Sequence, residues 1–245
     1  MKIVVIGGTG LIGSKLVRRF EAHGHEAVAA SPNTGVNTLT GEGLAEALAG
    51  ASVVVDVSNS PSFEDSAVLN FFETSTTNLL EAEAAAGVGH HVAVSIVGTE
   101  RLPTNGYFRA KIAQEQLIEK SGVPYSLVHS TQFFEFTKAI ADTSADEEGK
   151  VHMAPVSYQP IAGDDVADQV ARTAVGEPLN GRRDIAGPDR YRMDEYFRIA
   201  LPEREVVTDD HATYFGSELL DDSLVPIDDA TLGRIHYAEW AEADR

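Results

Sequence analysis

Ser95, Tyr107 and Lys111 have the side-chain types and spacing for proton transfer. Tyr107 and Lys111 stand four apart at the start of a predicted helix, Tyr107 to Lys120, so they share a face. An ammonium beside a phenol stabilises phenolate and draws the tyrosine pKa towards neutrality, which makes it a usable general acid or base. Ser95 lies twelve residues earlier, on a predicted strand from Val92 to Val97. From there its hydroxyl is expected to bond the same substrate oxygen. The same tyrosine–lysine spacing also fits a solvent-facing pair on a helix surface.

Proton transfer needs a reactant beside it, and the first thirteen residues, MKIVVIGGTGLIG, supply a place for one. Lys2 to Ile6 is a short β-branched run that reads as a buried strand. Gly7, Gly10 and Gly13 follow at three-residue spacing, and a helical pattern opens at Leu11 and runs to about Ala22. Strand, glycine turn and helix in this order make a dinucleotide-binding unit. Missing Cβ atoms let the backbone approach a pyrophosphate, and the helix N-terminus offers it free N–H groups. Gly7, Thr9, Gly10, Leu11, Ile12 and Gly13 are therefore expected to bind a cofactor, NAD(P)(H).

The elements that position these residues alternate. Glu26 to Ala30, Gly35 to Leu39, Ser52 to Val57, Val92 to Val97 and Pro124 to Ser130 read as further strands. Between them lie a short helix from Thr40, its plausible N-cap, to Ala49, and a long one opened by a capping box at Ser62 and closed by Gly87. This alternation predicts an α/β, Rossmann-type doubly wound parallel sheet. Ligands bind outside the carboxyl ends of such strands. Val57, Ser58, Asn59 and Ser60 should thus approach the cofactor, although Asn59 before Ser60-Pro61 also fits an Asx-type turn. After Ala30 come Ser31, Pro32, Asn33 and Thr34. With neither an acid for the ribose hydroxyls nor an arginine for a phosphate, Ser31 and Asn33 suit NAD or NADP alike.

Bulk properties narrow the partners. The 245 residues suit one α/β domain. We read residues 1–130 as its NAD(P)-binding core and 131–245 as a C-terminal substrate lobe integrated with it. A net charge of −19 repels nucleic acid and anionic membranes. The chain has no cysteine, which excludes thiolate catalysis and cysteine–metal sites. No apolar run approaches the roughly 18 residues of a membrane span, so a cytoplasmic monomer or homodimer acting on a small molecule is expected. His90 and His91 are adjacent on a strand and face opposite ways, so no metal site is expected.

With GGTGLIG at Gly7 to Gly13, Ser95, Tyr107-Phe108-Arg109-Ala110-Lys111 and the later Gln159-Pro160-Ile161-Ala162-Gly163-Asp164-Asp165, the chain resembles the short-chain dehydrogenase/reductase superfamily. The likeness spans about residues 1–190 and is greatest to the atypical, NmrA-like branch. It implies an oxidoreductase in which Tyr107 donates a proton to a carbonyl or quinone, Lys111 binds the nicotinamide ribose and Ser95 positions the substrate. Ser58-Asn59-Ser60 departs from the N-A-G-like motif of more typical members. NmrA-like relatives also include dinucleotide-binding redox sensors without turnover. Past the strand ending at Ser130, His129, Gln132, Phe133 and Phe134 are candidates to contact an aromatic substrate. Equally, the phenylalanines with Phe136 fit the packing of the lobe.

Overall fold

The computed structural model describes residues 1–243. They form two compact interleaved units. The first comprises residues 1–95, 106–129 and 166–183, and the second comprises 96–105, 130–165 and 184–245.

In the first unit, β1 (Lys2–Ile6) is flanked by β2 (Glu26–Ala30) and β3 (Val53–Asp56), both parallel to it. β4 (His90–Ile96) continues the sheet beside β3 in the same direction, followed by β5 (Tyr125–Ser130) and β8 (Gly181–Ala186), whose last three residues belong to the second unit. The strand order 2-1-3-4-5-8 steps from β2 across β1 to β3. The direction in which successive strands are added reverses there, so a crevice opens between the carboxyl ends of β1 and β3, where doubly wound sheets bind ligands. Ile3, Val4, Val5, Val54 and Val55 are fully buried, as a strand covered on both faces requires.

Helix α1 (Leu11–Ala22) follows β1, and α2 (Leu44–Leu48) precedes β3. Helices α3 (Asp65–Ala86) and α4 (Gly106–Lys120) pack together through Val68, Phe72 and Ala110, with Tyr107 against the cluster. A Cβ on Gly106 would meet the exposed Asp65 carboxylate at 1.9 Å, so that side chain would have to turn away.

Three local expectations change. Gly35 to Leu39 is not a strand: Gly35, Gly41 and Gly43 all have positive φ, and the Asn37 side chain accepts from the Leu39 N–H at 2.9 Å, turning the chain away from β2. Thr40 does not cap α2, since Gly43 holds that position and Thr40 Oγ1 accepts from the Glu42 N–H instead. The α3 cap is the Glu64 carboxylate, which accepts from Ser66 and Ala67, while Ser62 Oγ accepts from the Glu64 N–H just before the helix.

In the second unit, β11 (Thr231–Leu232) pairs in parallel with Ile185 and Ala186 of β8. Short strands β6 (Val151–Met153) and β10 (Val206–Thr208) pair, as do β7 (Ser157–Tyr158) and β9 (Tyr191–Arg192). Helices α5 (Thr137–Thr143), α7 (Met193–Ala200) and α8 (Tyr237–Ala243) belong to it. α6 (Gly163–Ala174) begins in this unit and ends in the first. The core of the second unit is aromatic: Tyr158, Tyr196 and Phe197 are fully buried and in mutual ring contact. Among the described residues no helix is long and apolar enough to cross a membrane, and no cluster of three or more His, Asp or Glu side chains could hold a metal.

Candidate active site

The glycine turn closes on itself by backbone contacts that no side chain would allow. The Gly10 N–H donates to the Gly7 carbonyl at 2.9 Å, and Gly7 has φ +77°. A Cβ on Gly7 would lie 2.8 Å from the Val57 carbonyl oxygen, and one on Gly13 only 2.1 Å from that of Gly7. α1 has no side-chain cap and no acid in its first turn. Its first N–H groups therefore have no intrahelical acceptor and no competing carboxylate. Thr9, Gly10 and Leu11 are exposed beside them, while Ile12 and Gly13 are buried. This cradle fits an anionic pyrophosphate held by backbone.

Further polar groups stand at the strand ends. Ser31, following β2, and Ser58, following β3, have buried hydroxyls with no hydrogen-bond partner. Their lost hydration is made good by a ligand or by water. Asn33 is exposed in the turn after Ser31. Val57 is half-buried and its N–H bonds the Ile6 carbonyl, while Ser60 is buried. Gln132, in the second unit, is 7% exposed, and neither atom of its amide has a partner.

The residues expected to transfer a proton are arranged differently from the expectation. The Tyr107 hydroxyl donates to Asn59 Oδ1 at 2.8 Å. Burial, with the Asp56 charge adding to it, pushes the phenol up to about 12 rather than down. Lys111 is only 4% exposed, and burial lowers it to about 8. Its Nζ donates to the Val94 carbonyl at 2.9 Å and to Gln114 Oε1, and it lies over the Phe72 ring. The ammonium is thus engaged inside the sheet–helix layer and does not lower the phenol. The two share a helical face, but not the electrostatic coupling that their spacing suggested. Arg109, on another face of α4, pairs with Asp65 at 2.6 Å.

The Ser95 hydroxyl donates to the Glu115 carboxylate, and His129 Nε2 lies 3.3 Å from the same carboxylate. Ser95 and His129 are both buried. Phe134 is also buried, against Tyr237 and Trp240, so it is a packing residue and not a pocket wall. Phe133 and Phe136 stack on each other, with Phe136 exposed. A different aromatic meets the site: Phe63 is 69% exposed and its ring lies 5.7 Å from that of Tyr107.

Asp56, Gln114, Glu115 and Phe63 escaped the sequence reading. One signal was available for Asp56, because an acid closing an all-valine run must be buried and therefore partnered. The other three find their roles only through tertiary contacts.

A family model described as NAD(P)H-binding matches residues 7–175. A photosystem II assembly factor, Ycf39, from Cyanophora paradoxa is 26% identical over 149 residues, covering 55% of this chain and 46% of that protein. The chain thus spans about half the length of this curated relative. Among solved structures, MoeE5 in complex with UDP-glucose and NAD superposes at a TM-score of 0.75 with 17% identity, over 100% of this chain and 99% of that one. The Citrobacter sp. triphenylmethane reductase complexed with NADP(H) gives 0.65 and 19%, over 85% and 79%. At these identities the likeness is one of fold.

Proposed function

Because the chain belongs to the family described as NAD(P)H-binding, we propose that it is an atypical short-chain reductase of a carbonyl or quinone on a small aromatic molecule. The observation that carries this reading is the Tyr107 hydroxyl. It is kept neutral by burial and the Asp56 charge and is bonded to Asn59, beside an exposed aromatic ring, on the unit that carries the glycine cradle. When bound, the dinucleotide supplies a hydride to the carbonyl carbon. Tyr107 gives its proton to the carbonyl oxygen, the product leaves as an alcohol, and water reprotonates the phenolate. A phenol near 12 is a donor at neutral pH and a poor acceptor.

Gly7 to Gly13 would hold the pyrophosphate, with Ser58 and Ser60 beside it. Ser31 and Asn33 would meet the adenosine ribose. The sequence has no Lys, Arg or His from Glu26 to Gly89, so the segments that follow β2 and β3 offer no cation for a 2′-phosphate. This supports NADH over NADPH. Phe63 would lie against an aromatic ring of the substrate. His129 is assigned to hold Glu115.

A second reading has its own observation. Both candidate donors, Tyr107 and Ser95, are already engaged within the protein, which suits a dinucleotide-responsive binding protein without turnover. One experiment separates the two. NADH oxidation is followed with a panel of quinones and aromatic ketones for wild type and Tyr107→Phe. The reductase reading expects a loss of about 10²-fold or more in the variant, as for a missing general acid. Equal rates in both would remove Tyr107 from the mechanism. Dinucleotide binding without turnover in either would select the second reading.

A further inference from the structure

Four hydrogen bonds, two of them buried and two part-buried, connect groups to which the proposed reaction gives no role. Asp56 closes β3 and is 3% exposed; Gln114, on α4, is 1% exposed. Asp56 Oδ1 accepts from the Ser58 N–H at 2.9 Å. Asp56 Oδ2 accepts from Gln114 Nε2, also at 2.9 Å. Gln114 Oε1 accepts from Lys111 Nζ, which in turn donates to the Val94 carbonyl of β4.

One carboxylate therefore holds two things. Through Ser58 it folds the chain after β3, which carries Asn59. Through Gln114 it fixes α4, which carries Tyr107. The 2.8 Å bond between Asn59 and the Tyr107 hydroxyl spans these two parts. A buried carboxylate and ammonium joined through an amide keep one geometry, since any slip leaves a charged group unsatisfied.

We propose that Asp56 and Gln114 are positioning residues that clamp the Val57–Ser60 loop to α4 and so set the Tyr107 hydroxyl for proton transfer. The clamp rests on the reductase reading for its purpose, but not for its existence. Lys111 is the far anchor of the clamp. The charged groups around it are Asp56 from β3, Glu115 from its own helix and His91 from β4, with the Phe72 ring of α3 against it.

The polarity of the central bond supplies the test. Gln114→Glu keeps an acceptor for Lys111 but turns the bond to Asp56 into a repulsion between carboxylates. The reciprocal exchange, Asp56→Asn with Gln114→Glu, restores every bond at the same net charge. The amide introduced at position 56 then donates to the carboxylate introduced at position 114. The carbonyl of that amide accepts from the Ser58 N–H, and the relocated carboxylate accepts from Lys111. In the single variant, turnover is expected to fall about 10-fold or more while the dinucleotide Kd moves less than ~3-fold, because the glycine cradle is intact. Hydrogen exchange at the Ser58 amide should quicken about 10-fold. Both should return to within ~3-fold of wild type in the exchanged pair.

Turnover and Ser58 exchange unchanged in Gln114→Glu overturn the clamp. So does a folded exchanged pair that fails to recover. If the wild type turns nothing over, the reductase reading fails, and Ser58 exchange alone still decides the clamp.

Discussion

The two units bury different chemistry. The first buries charge. Glu83 and His91 are both fully buried and bonded at 2.8 Å, and Asp56, Gln114 and Lys111 form a chain beside the glycine cradle. Glu83 holds the His91 imidazole above its ordinary value against strong desolvation. The second buries rings: Tyr158, Tyr196 and Phe197, with Tyr191, Tyr237, Phe134 and Trp240 linked to them by successive ring contacts. It also buries the Asp194 carboxylate, which is surrounded by Arg192, Arg198 and Thr208 and held far below the usual carboxylate range.

Burying ions is costly unless every bond is made, whereas burying rings is favourable and tolerant of small shifts. The first unit therefore gives up stability for fixed geometry beside the glycine cradle. The second gains stability from area.

This contrast can be broken most forcefully in the aromatic unit. Phe134→Ala should lower stability by about 3–5 kcal/mol, the usual loss for a buried ring. Chemical denaturation would read it, and dinucleotide affinity well below the transition should hold within ~3-fold. A large loss of affinity instead would show that the ring core also governs the cradle. In the first unit Gly13→Ala should do the reverse. Its Cβ would lie 2.1 Å from the Gly7 carbonyl oxygen, so the dinucleotide Kd should rise about 10²-fold or more by titration calorimetry, since the turn must open. Unchanged affinity would mean that the pyrophosphate is held elsewhere.

The smallest effect sharpens the contrast. His152, in the second unit, also bonds carboxylates, Asp146 and Asp209, both at 3.1 Å, but it is about one-third exposed. The hydrogen bonds to Asp146 and then Asp209 raise its imidazole above the ordinary value of 6.5. A raised cationic group adds stability that is fully present below 6.5 and disappears as pH climbs through the folded-state value. Wild type should thus melt slightly above His152→Gln at about pH 5.5, and the difference should vanish at alkaline pH. A difference that grew with pH would contradict the pairing.

The sequence shows the first unit more clearly than the second for a physical reason. β1, the glycine turn and α1 are specified locally, by a β-branched run, absent Cβ atoms and a helical period, and their bounds match the expectation to the residue. The α3 cap is not legible in the same way, because Ser62 and Glu64 both suit that place and only the backbone path decides. The β4 strand begins at His90, two residues before the apolar run. Its histidines are burial-competent only because Ser126 and Glu83 meet them from elsewhere in the chain. Tyr107 and Lys111 are legible as a pair, but the sign of their effect is not. It depends on Asp56 and Gln114, brought in by β3 and by the inward face of α4. In the second unit the ring contacts join residues up to about a hundred positions apart, beyond any local pattern.

The interleaving of the two units has a consequence for synthesis. The first unit takes its final segment from residues 166–183, and the aromatic core of the second is covered by Tyr237 and Trp240. Asp165 also waits for the N–H groups of Arg234 and Ile235, both bonded at 2.8 Å. A ribosome delivers residues one at a time, and folding proceeds on what has emerged. The nucleotide cradle can thus be made long before its unit is whole. The aromatic core stays open to water, and to chaperones, until Tyr237 and Trp240 have emerged.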